Sequence, residues 1–231
     1  MKAMILAAGK GERMRPLTDT TPKPLLKAGG KALLEHWLVK LDVLANIDEV
    51  IINTAYLGEQ IQQFVASRDG VKVRISDEGE PLETGGAIRK AAPLLGDEPF
   101  LLINGDVYCD VDLAEFSQVK VETCGAHLLL VDNPAHNAKG DFLLANNRVC
   151  LRENDEGGES CGSGAKTFAG ISIISPALIA SHPAGVNFPL REPLFNAVAK
   201  GLVTASEHNG YWLDVGTPLR LAELDAYLAR V

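Results

Sequence analysis

The chain has 231 residues, of which 46% are hydrophobic, and this combination suits one globular domain with a substantial core. Its formal net charge of −8 disfavours general binding to nucleic acid or to anionic membranes, so functional cations must be concentrated in one place. The N-terminal apolar run is too short for a secretory signal, and no run is long enough to span a bilayer. We therefore expect a cytoplasmic protein with no nucleic-acid and no membrane partner.

The first half of the chain alternates short apolar runs with segments of helical periodicity. Strands are predicted at residues 2–7, 49–54, 71–76 and 99–103, and helices at 33–44, 58–66 and 84–95. Such alternation is typical of an open, mainly parallel sheet that is covered by helices on both faces. The predicted fold class is therefore α/β and Rossmann-like.

The second half is less regular and contains more strands. These are predicted at residues 126–131, 141–145, 148–151 and 167–174, and helices at 190–200 and 217–229. Residues 152–165 are polar and rich in glycine, which would permit a mobile lid. We predict a single domain, 1–231, with a mixed sheet. Residues from 1 to about 110 would bind a nucleotide, and the rest would bind the other substrate.

A glycine-rich loop that carries cations follows the first predicted strand. Gly9 and Gly11 allow backbone N–H groups to approach a phosphate closely, and Arg13 adds positive charge. Met14 replaces the third glycine of a dinucleotide-binding fingerprint, and the Gly-Lys-Ser/Thr end of a P-loop is absent. Lys23 lies between two prolines, which restrict the backbone and so direct the cation. The alternative for both features is a solvated surface loop.

Polar and small residues also follow later strands, where sheets of this kind bind ligands. Glu78, Glu83 and Thr84 lie beside a glycine pair, so a planar base could rest against this backbone; an ordinary helix start capped by Thr84 is the alternative. Asp106 follows the fourth strand, and Asp214 ends a short apolar run. Two such carboxylates could share one Mg²⁺, although the Gly-Thr-Pro after Asp214 also fits a turn or helix cap.

Cysteine and histidine show no pattern of their own. Cys109, Cys124, Cys150 and Cys161 form no Cys-x-x-Cys pair and no zinc-like set, so we expect free thiols in a reducing compartment. The five histidines have neither ligand spacing nor a neighbouring nucleophile. We expect structural or surface roles for them.

Together these segments resemble the sugar-1-phosphate nucleotidyltransferase family. The runs Leu6–Thr18 and Pro22–Leu25 are similar to its signature, while Asn104–Asp106 and Asp214–Thr217 fall where its members carry metal-binding aspartates. The resemblance covers essentially the whole catalytic domain, in the same order. It implies that an NTP and a sugar 1-phosphate react to an NDP-sugar and pyrophosphate, with Mg²⁺ as cofactor.

The resemblance also implies a role for each site residue. Asp106 and Asp214 would hold Mg²⁺, Arg13 would neutralise the leaving pyrophosphate, and Lys23 would bind the attacking phosphate. A phosphate monoester is already ionised near neutral pH, so no general base is required. Nucleotide binding is implied for Ala8, Gly9, Gly11, Arg13, Glu78, Glu83, Thr84 and Gly85. Binding of the sugar phosphate is implied for Lys23, Asn104 and Gly140.

A closer similarity, to one branch of the family, bears on which base and which sugar the protein binds. The chain resembles a short bacterial branch of the family that lacks a C-terminal left-handed β-helix, and no hexapeptide repeat is found before Val231. It implies UTP and N-acetylmuramate 1-phosphate as substrates, in cell-wall sugar recycling. One departure is Glu83, where many family members carry glycine. The segments that carry this similarity are Glu80–Gly86, Leu130–Pro134, Gly140–Phe142, Thr167–Ile171 and Trp212–Gly216.

Alternatives stay open on the residues alone. Glu78 could accept hydrogen bonds from uracil or from guanine, so a mannose-1-phosphate guanylyltransferase is the alternative within the family. A catalytically silent subunit that senses nucleotide sugars is the alternative of another class, but it would be expected to have lost a charged site residue. A dinucleotide-dependent dehydrogenase is disfavoured by Met14. The sequence does not determine the oligomeric state.

Overall fold

The computed structural model describes residues 1–152 and 164–231. Its strands are β1 Lys2–Leu6, β2 Lys27–Ala28, β3 Lys31–Ala32, β4 Glu49–Thr54, β5 Val73–Asp77, β6 Phe100–Asn104, β7 Val107–Cys109, β8 Ala126–Val131, β9 Phe142–Ala145, β10 Arg148–Cys150, β11 Ala165–Ile174, β12 Val203–His208 and β13 Trp212–Asp214. Its α-helices are α1 Leu33–Asp42, α2 Gly58–Ala66, α3 Glu83–Leu95, α4 Leu113–Phe116, α5 Arg191–Ala199 and α6 Pro218–Leu228. Each predicted element is confirmed to within about two residues, whereas β2, β3, β7, β12, β13 and α4 were not predicted.

Nine of the described strands form one sheet, in the order β5-β4-β1-β6-β11-β8-β12-β10-β9. The pairs from β5 to β6 are parallel, whereas β11 runs antiparallel to both β6 and β8. Helices α1, α2 and α4 contribute to the core on one face of the sheet, and α3 and α5 to the core on the other. The predicted Rossmann-like α/β class is therefore confirmed, with the antiparallel strands in the second half. Among the described helices, none is long and apolar enough to cross a membrane.

The order of the parallel strands positions the site. From β1 the chain adds β4 and β5 on one side, and β6 then returns to the other side of β1. This reversal opens a crevice at the carboxyl ends of the strands, which is where such sheets bind ligands. The cationic loop follows β1 and the Asn104–Asp106 segment follows β6, so both lie at this crevice.

A buried chain of hydrogen bonds joins β1, β4 and α3 beneath the crevice. Asn53, which is 3% exposed, accepts from the Ala7 N–H at 2.7 Å and donates from Nδ2 to the Glu78 carboxylate at 2.7 Å. The other Glu78 oxygen accepts at 2.9 Å from the N–H of Leu82, the residue before α3. Thr84 lies inside the first turn of α3, so the alternative that it caps this helix is wrong. The helix start is instead held by a carboxylate from the preceding loop.

Cysteine chemistry differs from the expectation at one position. Cys109 is a buried free thiol and Cys124 an exposed one. Cys150 is disulfide-bonded, so the expectation of free thiols is wrong there; bridging depends on proximity in the fold, which spacing along the chain does not reveal. Burial raises the pKa of the Cys109 thiol to about 11, so this thiol stays protonated near neutral pH. Cys161 and most of the predicted loop 152–165 lie outside the described residues.

A buried histidine links two strands of the second half. The ring nitrogens of His127 on β8 lie 2.8 Å from Thr204 Oγ1 and 2.9 Å from Ser206 Oγ, both on β12. The residue is 5% exposed, and this burial lowers its pKa. The folded protein therefore favours the neutral ring more strongly than the unfolded chain does.

We predict that protonation of His127 destabilises the folded protein as the pH falls. The stability that the neutral, buried ring contributes is fully present above the ordinary histidine pKa of about 6.5. It is lost as the pH falls through the lower pKa that His127 has in the folded protein. Urea unfolding between about pH 5 and pH 8 should show a weaker pH dependence for His127→Gln than for the wild type. Equal pH dependence in the two proteins would contradict this account.

We also predict that Asn53→Ala is strongly destabilising. The substitution leaves the Ala7 N–H without its partner and removes one donor from Glu78, at about 1–3 kcal/mol for each unsatisfied buried group. Chemical denaturation gives the loss of unfolding free energy. The matched control is Asn46→Ala, which removes a hydrogen bond to Ser117 Oγ from an exposed residue. A loss no larger than that of the control would show that the buried chain of hydrogen bonds is unimportant.

Candidate active site

A cavity of about 270 Å³ lies in the crevice between β1, β4 and β6, and we call it the central cavity. It is lined by segments that follow three of the parallel strands, so residues far apart in sequence meet there. Asn53 and Pro81 also contribute to its wall. The predicted site residues that line it are Ala8, Gly9, Lys23, Glu78, Glu83, Thr84, Asn104 and Asp106.

The loop after β1 forms an adjoining cavity of about 370 Å³, the loop cavity, whose lining includes Gly9, Gly11, Arg13, Lys23 and Asp106. Gly11 has φ 63°, and Thr18 Oγ1 donates to its carbonyl oxygen at 2.8 Å. A Cβ atom at Gly11 would lie 2.9 Å from the Thr18 methyl group, so glycine is required there by both conformation and space. A Cβ atom at Gly9 would contact nothing within 4 Å, so packing does not require that glycine.

Lys23 is the buried cation of the site. It begins a short 3₁₀ turn, Lys23–Leu25, directly after Pro22, and only 10% of its side chain is exposed. Its Nζ lies 2.6 Å from Oδ2 of Asp106, which is 39% exposed and faces both the central and the loop cavity. The prediction of a directed lysine between two prolines therefore agrees with the geometry. A buried ammonium needs such a partner because desolvating an unpaired charge is costly.

A small strand pair places the backbones of the two predicted metal-binding aspartates side by side. In the antiparallel pair of β7 and β13, Asp214 lies opposite Val107, and the N–H of Val215 donates to the Asp106 carbonyl oxygen at 2.7 Å. The Asp214 carboxylate accepts from Arg220 and lies 3.0 Å from His136 Nε2. It does not line the central or the loop cavity as these are described.

The segment after Asp214 also starts a helix, as expected if Gly-Thr-Pro forms a helix cap. Thr217 Oγ1 accepts from the Arg220 N–H at 3.3 Å, and Pro218 is the first residue of α6. The Gly-Thr-Pro segment therefore forms a helix cap, while Asp214 itself lies beside Asp106. The two interpretations of this segment are compatible.

Two predicted glycines have packing functions. A Cβ atom at Gly85 would lie 2.4 Å from the Phe188 ring, so the glycine lets α3 approach the segment before α5. A Cβ atom at Gly140, whose φ is 64°, would lie 2.7 Å from Asn133 Oδ1. Neither glycine is among the described lining residues of the cavities, although Asp141 lines the cavity introduced next. Their assignments to nucleotide and sugar stay predictions.

A third cavity, of about 400 Å³, opens beside the central one and shares Thr84 and Asn104 with it. We call it the side cavity. Its charged residues are Asp141, Arg152 and Arg191, which come from the second half of the chain. Its apolar lining consists of Leu102, Phe142, Phe168, Pro189, Leu190, Leu194 and Phe195.

The backbone at Glu83 is strained. Its φ of 56° is a left-handed conformation that residues with long side chains rarely adopt. A glycine at this position would adopt the same conformation without strain. Because Glu83 lines the central cavity, the strain is stored in the wall of the site, where such conformations often concentrate.

Sequence reasoning missed several residues of this region. Asn53 carried a usable signal, since it is a polar residue near the end of a buried strand. Arg220 and His136 carried none, because their proximity to Asp214 depends on contacts over long stretches of chain. The other histidines agree with the structural roles expected of them, as His127 shows.

Comparisons with known proteins identify the family of the chain. A model of the nucleotidyl transferase family matches residues 2–140. Over 98% of its length the chain is 44% identical to N-acetylmuramate α-1-phosphate uridylyltransferase of Neisseria meningitidis serogroup B, covering 97% of that protein. It is 31% identical to the protein of the same name from Caulobacter vibrioides, with 98% of this chain and 96% of that one covered.

Solved structures show the same fold. A putative glucose-1-phosphate thymidylyltransferase from Bacillus anthracis superimposes with a TM-score of 0.80 at 22% identity, over 100% of this chain and 96% of that one. At that identity the likeness concerns the fold alone. The family assignment rests on the family model and on the full-length relatives. The chain belongs to the nucleotidyl transferase family, among the nucleotidyltransferases that act on sugar 1-phosphates.

Proposed function

We propose that the chain transfers the uridylyl group of UTP to N-acetylmuramate 1-phosphate, which gives UDP-N-acetylmuramate and pyrophosphate. The observation that carries this proposal is that Arg13, Lys23 and Asp106 line one cavity at an edge of the parallel sheet, with the backbone of Asp214 beside that of Asp106. The full-length similarity to a uridylyltransferase of this sugar phosphate supports the choice of base and sugar. Such a reaction consumes UTP and serves cell-wall sugar recycling in the cytoplasm.

The three cavities suggest how the substrates are distributed. The uridine would occupy the central cavity against Ala8, Glu83 and Thr84, and the sugar would extend from Asn104 towards the side cavity. Residues from 1 to about 110 then form the nucleotide half, and the remaining residues form the sugar half. Gly85 and Gly140 belong to this proposal as supports of the two walls, with their backbones as the candidate contacts.

The reaction is a phosphoryl-type transfer that needs positioning and charge neutralisation. An oxygen of the sugar phosphate attacks the α-phosphorus of UTP in line, and the bond to the pyrophosphate oxygen breaks. Lys23, which faces both the central and the loop cavity, stabilises negative charge at the reacting centre. Arg13 and the N–H groups of Gly9 and Gly11 neutralise the leaving pyrophosphate in the loop cavity.

Asp106 and Asp214 are the residues that would hold Mg²⁺. Their carboxylates fit this ion, because Mg²⁺ prefers oxygen ligands and takes few of them from protein when phosphates are bound. The ion would supply charge neutralisation at the phosphates. Lys23 pairs with the Asp106 carboxylate and Arg220 with the Asp214 carboxylate, so these two cations would compete with Mg²⁺ for the same oxygens.

Pyrophosphate release tests the proposal most directly. Each common NTP is combined with the 1-phosphates of N-acetylmuramate, N-acetylglucosamine, glucose and mannose, with Mg²⁺ present. We expect turnover with UTP and N-acetylmuramate 1-phosphate. Turnover with GTP and mannose 1-phosphate would instead establish the guanylyltransferase alternative, and no turnover with any pair would favour the non-catalytic sensor.

We predict that Asp106→Asn lowers turnover roughly a hundredfold or more, because it removes the charge of a metal ligand and of the partner of Lys23. The matched control is Asp110→Asn, an exposed aspartate four positions later that pairs with His208. Steady-state kinetics measure turnover, and thermal unfolding confirms that both variants are folded. Near-normal turnover of Asp106→Asn would refute the assignment of this residue to the metal.

A further inference from the structure

We propose that Cys109, Asp110 and His208 bind a divalent transition-metal ion of the Zn²⁺ type, at a site separate from the proposed Mg²⁺ site. One ligand atom from each of the three residues lies within 4.8 Å of the other two. A thiol, a carboxylate and an imidazole are the side-chain groups that bind Zn²⁺ in proteins. Metal binding at this cluster is independent of the proposed function.

The fold brings these residues together over a long stretch of chain. Cys109 ends β7 and Asp110 follows it, while His208 ends β12, 98 residues after Asp110. The N–H of Asp110 donates to the Tyr211 carbonyl oxygen at 3.0 Å, which fastens this residue to the segment before β13. Spacing along the sequence therefore indicated no metal site, whereas the tertiary structure assembles the three ligands.

The carboxylate and the imidazole already face each other. His208 Nε2 lies 2.7 Å from Asp110 Oδ1, so a hydrogen bond holds the two groups side by side. A Cβ atom at Gly210 would lie 2.8 Å from His208 Nε2, so the glycine leaves the space that the ring occupies. Tetrahedral Zn²⁺, with bonds of about 2.0–2.3 Å, separates its ligand atoms by roughly 3.5 Å. Small side-chain rotations would therefore open the hydrogen bond to admit the ion.

The buried thiol of Cys109 has neighbours that support a metal-bound thiolate. Burial raises the pKa of this thiol to about 11, while the N–H of Val111 and the ammonium group of Lys40 act in the opposite direction. A metal ion that binds the sulfur displaces the thiol proton to solvent. The same N–H and ammonium groups would then stabilise the thiolate, as groups around a metal site commonly do for its ligands.

The charges of the cluster match a divalent cation. A Cys109 thiolate and the Asp110 carboxylate together balance the two positive charges of the ion. Lys40, whose ammonium donates to the Cys109 carbonyl oxygen, would therefore lie beside a neutral complex. Mg²⁺ is a poor occupant, because it prefers oxygen ligands to thiolate and imidazole. The cluster thus favours a softer ion than the pair of Asp106 and Asp214 does.

Solvent reaches the cluster from one side. The Asp110 side chain is 41% exposed and that of His208 is 15% exposed, whereas Cys109 is fully buried. An ion would enter past the carboxylate and the imidazole and reach the thiol last. Once bound, it would fasten the end of β7 to the end of β12, next to the strand β13 that carries Asp214.

Cobalt binding tests the inference, because a cobalt–thiolate bond gives a charge-transfer absorption that a site made only of carboxylates does not. The full chain is titrated with Co²⁺, and we expect the absorption to saturate at one ion per chain. Zn²⁺, which has a filled d shell, should remove the absorption when it replaces cobalt. Cys109→Ser should abolish the absorption, and His208→Gln should weaken Co²⁺ binding about tenfold or more.

The matched control is Cys124→Ser, which makes the same change at the exposed free thiol and should keep the wild-type absorption. Absence of the absorption in the wild type, or its persistence in Cys109→Ser, would refute the site. Loss in Cys124→Ser would place the metal at the exposed thiol instead. Thermal unfolding shows whether each variant is folded.

If Cys109→Ser does not fold, His208→Gln decides the question, because it keeps the thiol and removes a ligand. Co²⁺ affinity equal to that of the wild type would then contradict the proposed ligand set. None of these measurements uses a nucleotide or a sugar phosphate. A negative result therefore refutes the metal site alone and leaves the proposed function to its own test.

Discussion

The ion pair between Lys23 and Asp106 is the interaction on which the site depends. It joins the loop after β1 to the turn after β6, and it neutralises an ammonium group that has little access to water. Asp106 would hold Mg²⁺ in the proposed reaction, and Lys23 would then need another anion as its partner. The sugar phosphate would supply that anion, so the charge of Lys23 would link the two binding events.

The scaffold around this pair is rigid for identifiable reasons. The N–H of Gly105 donates to the Leu6 carbonyl oxygen at 2.9 Å, so the turn that carries Asp106 is fastened to the end of β1. The pairing of β7 with β13 then places Asp214 beside Asp106. On the opposite wall, Asn53 and Glu78 hold the start of α3 against β4. Asp106 and Asp214 are thus positioned by backbone contacts, and Glu78 is positioned by hydrogen bonds of its own carboxylate.

The second half of the chain adds the walls of the side cavity, into which the proposed function extends the sugar. Its antiparallel strands extend the sheet beyond β6, and β9, β11 and α5 enclose the side cavity with aromatic and aliphatic residues. In the proposed function the nucleotide and the sugar occupy two different cavities, which share Thr84 and Asn104.

The sequence by itself determined the features that depend on local pattern. Apolar periodicity predicted the α/β class and most elements, and the position of Lys23 and Asp106 after buried strands predicted a site at their carboxyl ends. Only the tertiary structure decided which distant residues meet. The contacts of Arg220 and His136 with Asp214, the disulfide at Cys150 and the side cavity all depend on contacts between segments that no local pattern reveals. Side-chain pairing across a sheet is set by packing and register, and these are properties of the folded chain.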